Sequence, residues 1–314
     1  MRLAFMGTPD FALPTIQALI ETKRHDLVCA ITQPDKPKGR GRHVKAPAVK
    51  QYAMNKGIPV LQPVRIRDNQ EIYTSLVQYR LDAVIVVAYG KILPAEMLDI
   101  PVKGFINVHA SLLPSLRGAA PINRAILQGC ASTGISIMQI DAGMDTGPVY
   151  RKVQIPIETD DDAVTLSSKL GVLGAETLLE VLDLVERDNL QPIPQDHEKA
   201  TYAPMLRKDE GEIDWNQDPI TIHNMIRGLV PWPCAHSHIG PKTLKIWKAS
   251  YLAEDHDLPQ GSLVKDASGL KIACAGGYII PHALQIEGRN IVDSHAFSCG
   301  LKNDRIILSQ GGLQ

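Results

Sequence analysis

The feature that most constrains the fold is an alternation over the first 189 residues, in which short apolar runs are separated by stretches with helical spacing. The apolar runs are mostly continuous in hydrophobicity and typical of β-strands: LAFMG (3–7), LVCAIT (27–32), AVIVVAY (83–89), FINVH (105–109) and ISIMQI (135–140). Strands that are apolar throughout, with helices between them, are typical of a parallel sheet covered on both faces. This part of the chain is therefore predicted to be α/β, with a Rossmann-like, doubly wound, mostly parallel sheet.

Helices are predicted at residues 10–23, 47–56, 68–79, 119–129 and 161–187. The longest of them carries Val164, Leu170, Leu173, Leu178 and Val185 at helical spacing. The pattern changes at the polar, proline-punctuated stretch DNLQPIPQDHEKATYAP (188–204), which is typical of an extended linker. Beyond it, one helix near 218–229 and short alternating runs separated by Gly, Pro and Asp-Ala-Ser-Gly turns predict a small, OB-like β-barrel. The predicted domains are 1–189 and 207–314, with a linker at 190–206.

Length and composition exclude several classes of protein. The 314 residues, 44% of them hydrophobic, suffice for two domains, whereas the longest apolar stretch (83–89) is too short to span a bilayer. The N-terminus has no signal-peptide pattern, and the five scattered cysteines form neither a disulfide framework nor a zinc motif. We therefore expect a cytoplasmic protein. The net charge of −1 gives no support for a nucleic-acid partner, which would have to bind a local basic patch.

Polar residues cluster where several predicted strands end. Ligands of open α/β sheets bind beyond the carboxyl ends of the strands, so Gly7–Asp10, Tyr89–Pro94, the residues Asn107 and His109, and Asp141–Gly147 are predicted to meet in one crevice. GTPDFA (7–12) stands where a dinucleotide-binding fold carries GxGxxG, but it has one glycine and a proline in the turn, which argues against a nicotinamide dehydrogenase. Asp10 is predicted to cap the next helix; contact with substrate or a neighbouring loop is the alternative.

Asn107 and His109 are two apart on a predicted strand, so both side chains point to the same side. Asp145, in the turn DAGMDTG (141–147), is predicted to join them in the crevice. An amide and an imidazole can donate to an oxygen that becomes negative in a tetrahedral intermediate, and a carboxylate can orient the imidazole or accept a proton through water. This set, without a recognised Ser or Cys nucleophile, favours direct group transfer. The alternative is that His109 is structural.

Two further groups of cations have open interpretations. QPDKPKGRGRHVKAPAVK (33–50) carries six Lys and Arg with two glycines, which favours binding of a polyanion; the alternative is a solvated loop. Arg117 lies in a connecting loop and could bind a carboxylate or phosphate. Residues 207–314 hold 11 Lys and Arg against 12 Asp and Glu. Lys245 and Lys248 do not share a face in strict alternation, so the barrel is expected to make only modest phosphate contacts.

The motifs GTPDFA, QPDKPKGRG, VVAYGKILP, NVHASLLPSLRGAAPINRAI and DAGMDTG resemble the methionyl-tRNA formyltransferase family of 10-formyltetrahydrofolate-dependent enzymes. TYAPMLRKDEGEIDW, RGLVPWPCA and LKIWKA are similar to the second domain of that family, and IIPHALQIEGRNIVDSHAFSCG departs from its usual tail. The resemblance covers nearly the whole chain. It implies transfer of the formyl group from 10-formyltetrahydrofolate to the α-amino group of methionine on initiator tRNA, with Asn107, His109 and Asp145 at the catalytic positions.

The resemblance also implies binding residues, a monomer and no metal. The segments expected to contact the folate contribute Tyr89, Gly90, Ile92, Leu93, Pro94, Ser111, Leu112, Leu113, Pro114, Asp141, Gly143 and Met144. The residues expected to contact tRNA are Arg40 first, then Arg42, with Lys38 and Lys45, and the C-terminal barrel is expected to contribute. Three alternatives remain open: a formyltransferase with a small amine acceptor, a formyltetrahydrofolate hydrolase, and a non-catalytic RNA-binding protein.

Overall fold

The computed structural model describes residues 1–38, 43–267 and 269–309, which group into two compact units. The first unit comprises residues 1–121, 132–156 and 167–203. The second comprises residues 122–131 and 157–166 together with the chain from 204 onward. Residues 190–203, predicted to be part of a linker, therefore group with the first unit.

A seven-stranded sheet forms the centre of the first unit, with strand order β5-β2-β1-β6-β7-β8-β9. Its strands are β1 (Arg2–Gly7), β2 (Asp26–Ile31), β5 (Val60–Leu61), β6 (Ala83–Val87), β7 (Phe105–His109), β8 (Ser132–Gln139) and β9 (Val149–Pro156). β5, β2, β1, β6 and β7 pair in parallel, whereas β8 pairs antiparallel with β7, and β9 antiparallel with β8. The prediction of a Rossmann-like, mostly parallel sheet is confirmed.

Helices cover this sheet, and local sequence signals account for several of their ends. They are α1 (Leu13–Thr22), α2 (Ala48–Asn55), α3 (Gln70–Tyr79), α4 (Ala95–Leu98) and, from Ser167 onward, α6 (Ala163–Glu186). Another helix, α5 (Pro121–Leu127), groups from Ile122 onward with the second unit. The side chain of Asn69 accepts a hydrogen bond from the backbone N–H of Ile72 and so caps α3. Buried apolar residues of α3 and the central strands, among them Leu76, Val84 and Phe105, share one core.

The structure corrects the prediction for Asp10. A single 3-10 turn (Asp10–Ala12) precedes α1, and the cap positions of the turn and of α1 are Pro9 and Ala12. Neither position makes a side-chain cap. The physical reason is that Asp10 lies inside the first turn, where its carboxylate can favour the helix N-terminus through charge without accepting a capping bond.

A small antiparallel hairpin, β3 (Lys36–Lys38) with β4 (His43–Lys45), belongs to the basic stretch after β2. Lys36 pairs with Lys45 across it. Arg40 and Arg42, two of the predicted tRNA-contacting residues, lie outside the described residues.

The second unit is an antiparallel barrel with strand order β10-β11-β14-β13-β12-β16. Its elements are α7 (Pro219–Gly228), β10 (His236–Ile239), β11 (Lys242–Ala253), β12 (Ser262–Asp266), β13 (Gly269–Cys274), β14 (Gly277–Ile286), β15 (Val292–Asp293), α8 (Ser294–Cys299) and β16 (Arg305–Ile307). An antiparallel bridge between His238 and Ser309 connects the region after β16 to β10 and nearly closes the barrel. This confirms the predicted barrel.

A β-bulge in β11 corrects the expectation about Lys245 and Lys248. The register with β14 shifts on both sides of Lys248, while Ile246 and Ala249 remain buried in the core. A bulge inserts one extra residue, so the alternation restarts after Trp247. Lys245 and Lys248 therefore both lie on the outer face of the barrel, which strict alternation excluded.

Candidate active site

Asn107 and His109 are fixed in position because β7 is paired on both sides. Asn107 lies beside Val86 of β6 and Met138 of β8, and His109 lies beside Ser136 of β8. As residues i and i+2 of one strand, they project from the same face of the sheet. The His109 side chain is buried, whereas Asn107 is half-buried.

Each ring nitrogen of His109 has one hydrogen-bond acceptor near it. Its Nε2 is 3.1 Å from the carbonyl oxygen of Leu116, and its Nδ1 is 3.7 Å from Oδ1 of Asp145. A carbonyl oxygen can only accept, so Nε2 carries a hydrogen. Because 3.7 Å exceeds hydrogen-bond distance, Nδ1 is the nitrogen that remains available to a substrate. The doubly protonated ring is the form that can donate from both nitrogens.

Asp145 is held in a left-handed backbone conformation, with φ of 53°. Its second carboxylate oxygen, Oδ2, accepts a hydrogen bond of 2.7 Å from the backbone N–H of Gly118. The turn that carries it is closed by Asp141, whose Oδ1 accepts from the N–H of Gly143 and from the hydroxyl of Thr146. The structure thus brings His109 and Asp145 into direct proximity, as the sequence predicted, with Asn107 on the same strand.

The turn after β6 exposes little beyond its backbone and one apolar side chain. Tyr89 is buried, and burial raises the pKa of its phenol to about 12. Its carbonyl oxygen accepts a hydrogen bond of 2.8 Å from Nε2 of Gln33. Gly90 has φ of 76°, and an added Cβ would lie 2.8 Å from the same nitrogen, so the turn requires glycine there. Ile92 is 89% exposed, whereas Leu93 and Pro94 are buried.

The loop after β7 is built from its own hydrogen bonds. The hydroxyl of Ser111 donates to the carbonyl of Ser115, and the hydroxyl of Ser136 donates to the carbonyl of Ser111. Ser136 also accepts from the backbone N–H of Leu113, and Ser111 and Leu113 are fully buried. Leu112 and Pro114 are half-buried. A folate contact by these four residues stays a prediction, and for Ser111 the side-chain hydroxyl is already bonded within the loop.

A cavity of about 740 Å³ lies beside the turn of residues 141–144, within the size range typical of small-molecule sites. Asp141 lines it, and the other predicted folate residues do not. Met144, in the same turn, is 62% exposed, and Gly143 is exposed. The remaining wall includes Leu98, Gly104, Gln139, Ile140 and Tyr150. A second cavity of about 660 Å³ surrounds Met1, Arg24 and His25 and holds none of the predicted site residues.

Part of the positive charge around the basic hairpin is already paired within the first unit. Lys50 donates to Asp35 and Gln62, which lowers the pKa of Asp35, and Lys36 donates to Oε1 of Gln33. Lys45 is exposed, and Lys38 ends strand β3. The tRNA contacts of Lys38, Arg40, Arg42 and Lys45 remain predictions.

Two residues of this region carry interactions that the sequence pattern did not indicate. Arg117, considered above as an anion-binding residue, is 2% exposed and donates to Oε1 of Gln195 and to Nδ1 of His197. Gln195 lies in the stretch predicted to be a linker. Arg117 could be singled out because it belongs to the motif NVHASLLPSLRGAAPINRAI. Nothing in the sequence indicates that Gln195 contacts Arg117.

The described part of the chain, 1–38, 43–267 and 269–309, contains no group of three metal-ligating side chains. It also contains no helix long and apolar enough to cross a membrane.

A Rossmann-like unit and an antiparallel barrel define the chain as a two-unit α/β protein. The family described as formyl transferase matches residues 1–182, and the formyl transferase C-terminal domain matches residues 205–302. The chain belongs to the formyl transferase family. The resemblance seen in the motifs is thereby confirmed.

Similar proteins cover nearly the whole chain. A methionyl-tRNA formyltransferase of Acetivibrio thermocellus is 44% identical over 96% of this chain and 97% of its own length. One of Caldanaerobacter subterraneus subsp. tengcongensis is 46% identical over 92% of this chain and 93% of its own.

Solved structures share the fold at low identity. The N-formyltransferase of Helicobacter canadensis, in complex with folinic acid and dTDP-3-aminofucose, superposes with a TM-score of 0.66 at 18% identity, covering 89% of this chain and 98% of its own. HypX of Aquifex aeolicus, in complex with tetrahydrofolic acid, gives 0.65 at 16% identity, covering 96% of this chain and 47% of its own.

Proposed function

We propose that the chain is a methionyl-tRNA formyltransferase, which moves the formyl group of 10-formyltetrahydrofolate to the α-amino group of methionine on initiator tRNA. The observation that carries the proposal is the similarity to methionyl-tRNA formyltransferases at 42–46% identity over nearly the full length of both units. The product, N-formylmethionyl-tRNA, serves translation initiation, which places the reaction in the cytoplasm. We expect a monomer.

The proposed mechanism of formyl transfer uses the hydrogen-bond donors Asn107 and His109 of β7. The neutral methionyl amine attacks the formyl carbon, and a new C–N bond forms while the carbonyl electrons move to oxygen. The amide of Asn107 donates to this oxyanion. His109 donates from Nδ1, the nitrogen that remains available to a substrate, while Nε2 stays on the carbonyl of Leu116. Collapse of the intermediate breaks the bond to folate N10, which takes up a proton, and the attacking nitrogen loses one.

Asp145 has two roles in this scheme. Its Oδ1 lies 3.7 Å from Nδ1 of His109 and orients the imidazole. It also provides, directly or through water, the base that takes the proton from the attacking nitrogen. Because the N–H of Gly118 already binds Oδ2, the carboxylate is oriented before substrate arrives. Such preorganised groups avoid reorganisation during the reaction.

The folate is proposed to lie against the turns 89–94 and 141–144, with the loop 111–114 beside them. Flat rings bind in clefts that combine an apolar wall with a few polar groups. The exposed side chains of Ile92 and Met144 supply apolar surface for such a wall. Gly90 and Gly143 allow close approach of backbone to ligand.

The tRNA is proposed to contact the basic hairpin through Lys38, Arg40, Arg42 and Lys45, and the barrel through the outer face of β11. The bulge gives that face Lys245 and Lys248, with Trp247 between them. Trp247 donates from Nε1 to Oε1 of Gln285, which fixes the orientation of its ring. Two cations beside a fixed aromatic ring suit a phosphate backbone more than a protein surface.

An acceptor assay tests the proposal. Purified protein is mixed with 10-formyltetrahydrofolate and charged tRNAs, and formylation of the bound amino acid is measured after discharge. Formylmethionine is expected from initiator tRNA and little from elongator methionyl-tRNA. Folate turnover without formylated tRNA would replace the proposal with a hydrolase or a small-amine formyltransferase. Binding of tRNA without folate turnover would indicate a non-catalytic RNA-binding protein.

A further inference from the structure

The stretch from Ile193 to Ala203, here called the strap, is bonded along its length to other parts of the first unit. Ile193 exchanges two backbone hydrogen bonds of 2.8 Å with Val149. Arg117 donates from its backbone N–H to Thr201 and accepts from Ala203, at 2.9 and 2.7 Å. The strap therefore runs beside the loop that follows β7.

Arg117 uses its guanidinium to hold one side chain of the strap. The Nε and Nη2 atoms lie 3.2 and 2.7 Å from Oε1 of Gln195, and both groups are buried. A buried guanidinium needs partners for its fixed set of donors. Here an amide oxygen receives two of them, and Nδ1 of His197 receives a third at 3.1 Å.

Gln195 turns its amide nitrogen toward the catalytic turn. Its Nε2 donates to the carbonyl oxygen of Asp145 at 2.9 Å and to that of Gly147 at 2.7 Å. The partners determine the orientation of the amide, because Arg117 offers only donors and the two carbonyls offer only acceptors. The side chain therefore connects a buried cation to the backbone on which Asp145 is carried.

Asp145 is thus held from two sides by neighbouring residues of one loop. The N–H of Gly118 binds its carboxylate, and Arg117 acts on its backbone through Gln195. Gly118 itself is set by the strap: it has φ of 119°, and an added Cβ would lie 2.8 Å from the carbonyl oxygen of Ala203. Asp145 has φ of 53°, a conformation that persists only where its surroundings impose it.

We propose that Gln195, itself fixed by Arg117, is a positioning residue that keeps the carboxylate of Asp145 aimed at His109. The proposal rests on the proposed function, in which Asp145 is catalytic. Gln195 does not reach the reacting atoms. It supplies two N–H groups that hold the left-handed turn, and without them the turn can relax and move the carboxylate away from Nδ1 of His109.

The substitution Gln195→Glu separates this role from simple pairing with Arg117. Glutamate has the same shape and still accepts from the guanidinium, but it offers no N–H to the carbonyls of Asp145 and Gly147. We expect kcat for formyl transfer to fall on the order of 10²-fold, as for a small misplacement of a reacting group, with little change in KM for either substrate. Glu198→Gln, an exposed position in the same strap, serves as the matched control. Wild-type kcat in Gln195→Glu would overturn the proposal.

The dependence on Arg117 is tested by a double-mutant cycle. Arg117→Lys keeps the charge and removes the forked interaction, and Gln195→Ala removes the connected amide. If Arg117 acts through Gln195, the loss of kcat in the double variant is smaller than the product of the two single losses. Multiplicative losses would show that Arg117 does not act through Gln195 and would overturn that part of the proposal.

Hydrogen exchange provides a readout that does not require catalysis. The N–H of Gly118 is protected by the carboxylate of Asp145, so we expect its exchange to accelerate in Gln195→Glu and to stay unchanged in Glu198→Gln. Unchanged exchange in Gln195→Glu would contradict the positioning role. If the wild-type protein fails to formylate tRNA, the proposed function fails, and the exchange rate still decides whether Gln195 holds Asp145.

Discussion

The two units bury polar side chains in different ways. In the second unit the buried hydroxyl of Ser237 has local structural partners: it accepts from Nε1 of Trp215 and donates to the carbonyl of Ser309. In the first unit, four polar side chains join into one chain of contacts. Arg117 reaches Gln195, Gln195 reaches the Asp145 turn, and Asp145 faces His109.

This comparison separates buried polar groups that only stabilise the fold from those that can still bind a substrate. A satisfied pair such as Trp215 and Ser237 stabilises the barrel and has no group left to act on a ligand. His109, in contrast, has one nitrogen bonded at 3.1 Å and the other 3.7 Å from a carboxylate, so it keeps a nitrogen for a substrate. We propose that this incompletely bonded ring acts in catalysis, as part of the set that links it to Asp145, Gln195 and Arg117.

The largest loss of formylation rate is expected from Asp145→Asn, which changes the contact between the Asp145 carboxylate and His109. The amide keeps the shape but removes the charge beside His109 and the proton acceptor. Loss of a positioned acid or base costs about 10²- to 10⁴-fold, and we expect a fall in the single-turnover rate within this range. Asp183→Asn, a carboxylate paired with Arg24 elsewhere in the first unit, serves as the control. If the single-turnover rate of Asp145→Asn equals that of the wild type, the linked polar groups of the first unit are structural, like those of the second unit.

The next effect concerns Asn107→Ala, which removes one donor to the oxyanion. Removal of one such donor typically costs about 10²- to 10³-fold in rate, and folate affinity should change little because the donor acts on the transition state. Single-turnover rates and equilibrium folate binding separate the two quantities. A variant that lost folate affinity and kept its rate would assign Asn107 to ground-state binding.

A smaller effect is expected on the barrel, through Lys245→Ala and Lys248→Ala. Removal of one phosphate interaction should reduce the slope of log affinity for tRNA against log salt by about 1, and affinity should fall for initiator and elongator tRNA alike. Lys271→Ala is the control, since Lys271 pairs with Asp266 on other strands of the barrel. If both variants keep the wild-type salt dependence of tRNA affinity, Lys245 and Lys248 do not bind phosphate, and only the hairpin remains as the proposed electrostatic contact.

The smallest effect is expected on the free energy of unfolding and concerns His223, a buried histidine of the second unit. Burial lowers the pKa of His223 below 6.5, and Arg227 beside it acts in the same direction. The unfolded chain therefore takes up a proton first, so stability from neutral His223 is present above pH 6.5 and is lost as the pH falls below it.

This contribution can be measured in the second unit alone, because all three tryptophans, Trp215, Trp232 and Trp247, belong to it. Tryptophan fluorescence during denaturation should show a flatter acid decline in His223→Gln than in the wild type, by at most about 1.4 kcal/mol per pH unit. His295→Gln, at an exposed position of α8, is the control. Identical declines in wild type and His223→Gln would contradict a lowered pKa of His223 in the folded protein.

Much of the fold could be predicted because burial on both faces gives strands a continuous apolar signature. The strand predicted at 105–109 has the same bounds in the structure, and the long helix predicted at 161–187 is found at Ala163–Glu186. The direction of β8 could not be predicted, because an apolar run has the same pattern in parallel and antiparallel pairing. β9 was missed because this strand at the sheet edge is mostly exposed or half-buried and is not apolar throughout.

The candidate site was predictable only where its residues are close in sequence or belong to a motif. Asn107 and His109 could be paired from the period of a strand, and Asp145 from its turn. Gln195 lies 78 residues from Arg117, and a glutamine between Pro194 and Asp196 carries no local signal for such an interaction. The bulge at Trp247–Lys248 was equally invisible, since one inserted residue changes the faces of a strand without changing its composition.

The most direct test of the central claim, that the linked polar set of the first unit performs formyl transfer, is the single-turnover formylation of initiator methionyl-tRNA by purified His109→Ala. Both substrates are saturating, and the melting curve is compared with that of the wild type. The account predicts a folded protein whose rate is lower by about 10²-fold or more. A folded His109→Ala protein with a rate near that of the wild type would contradict the account.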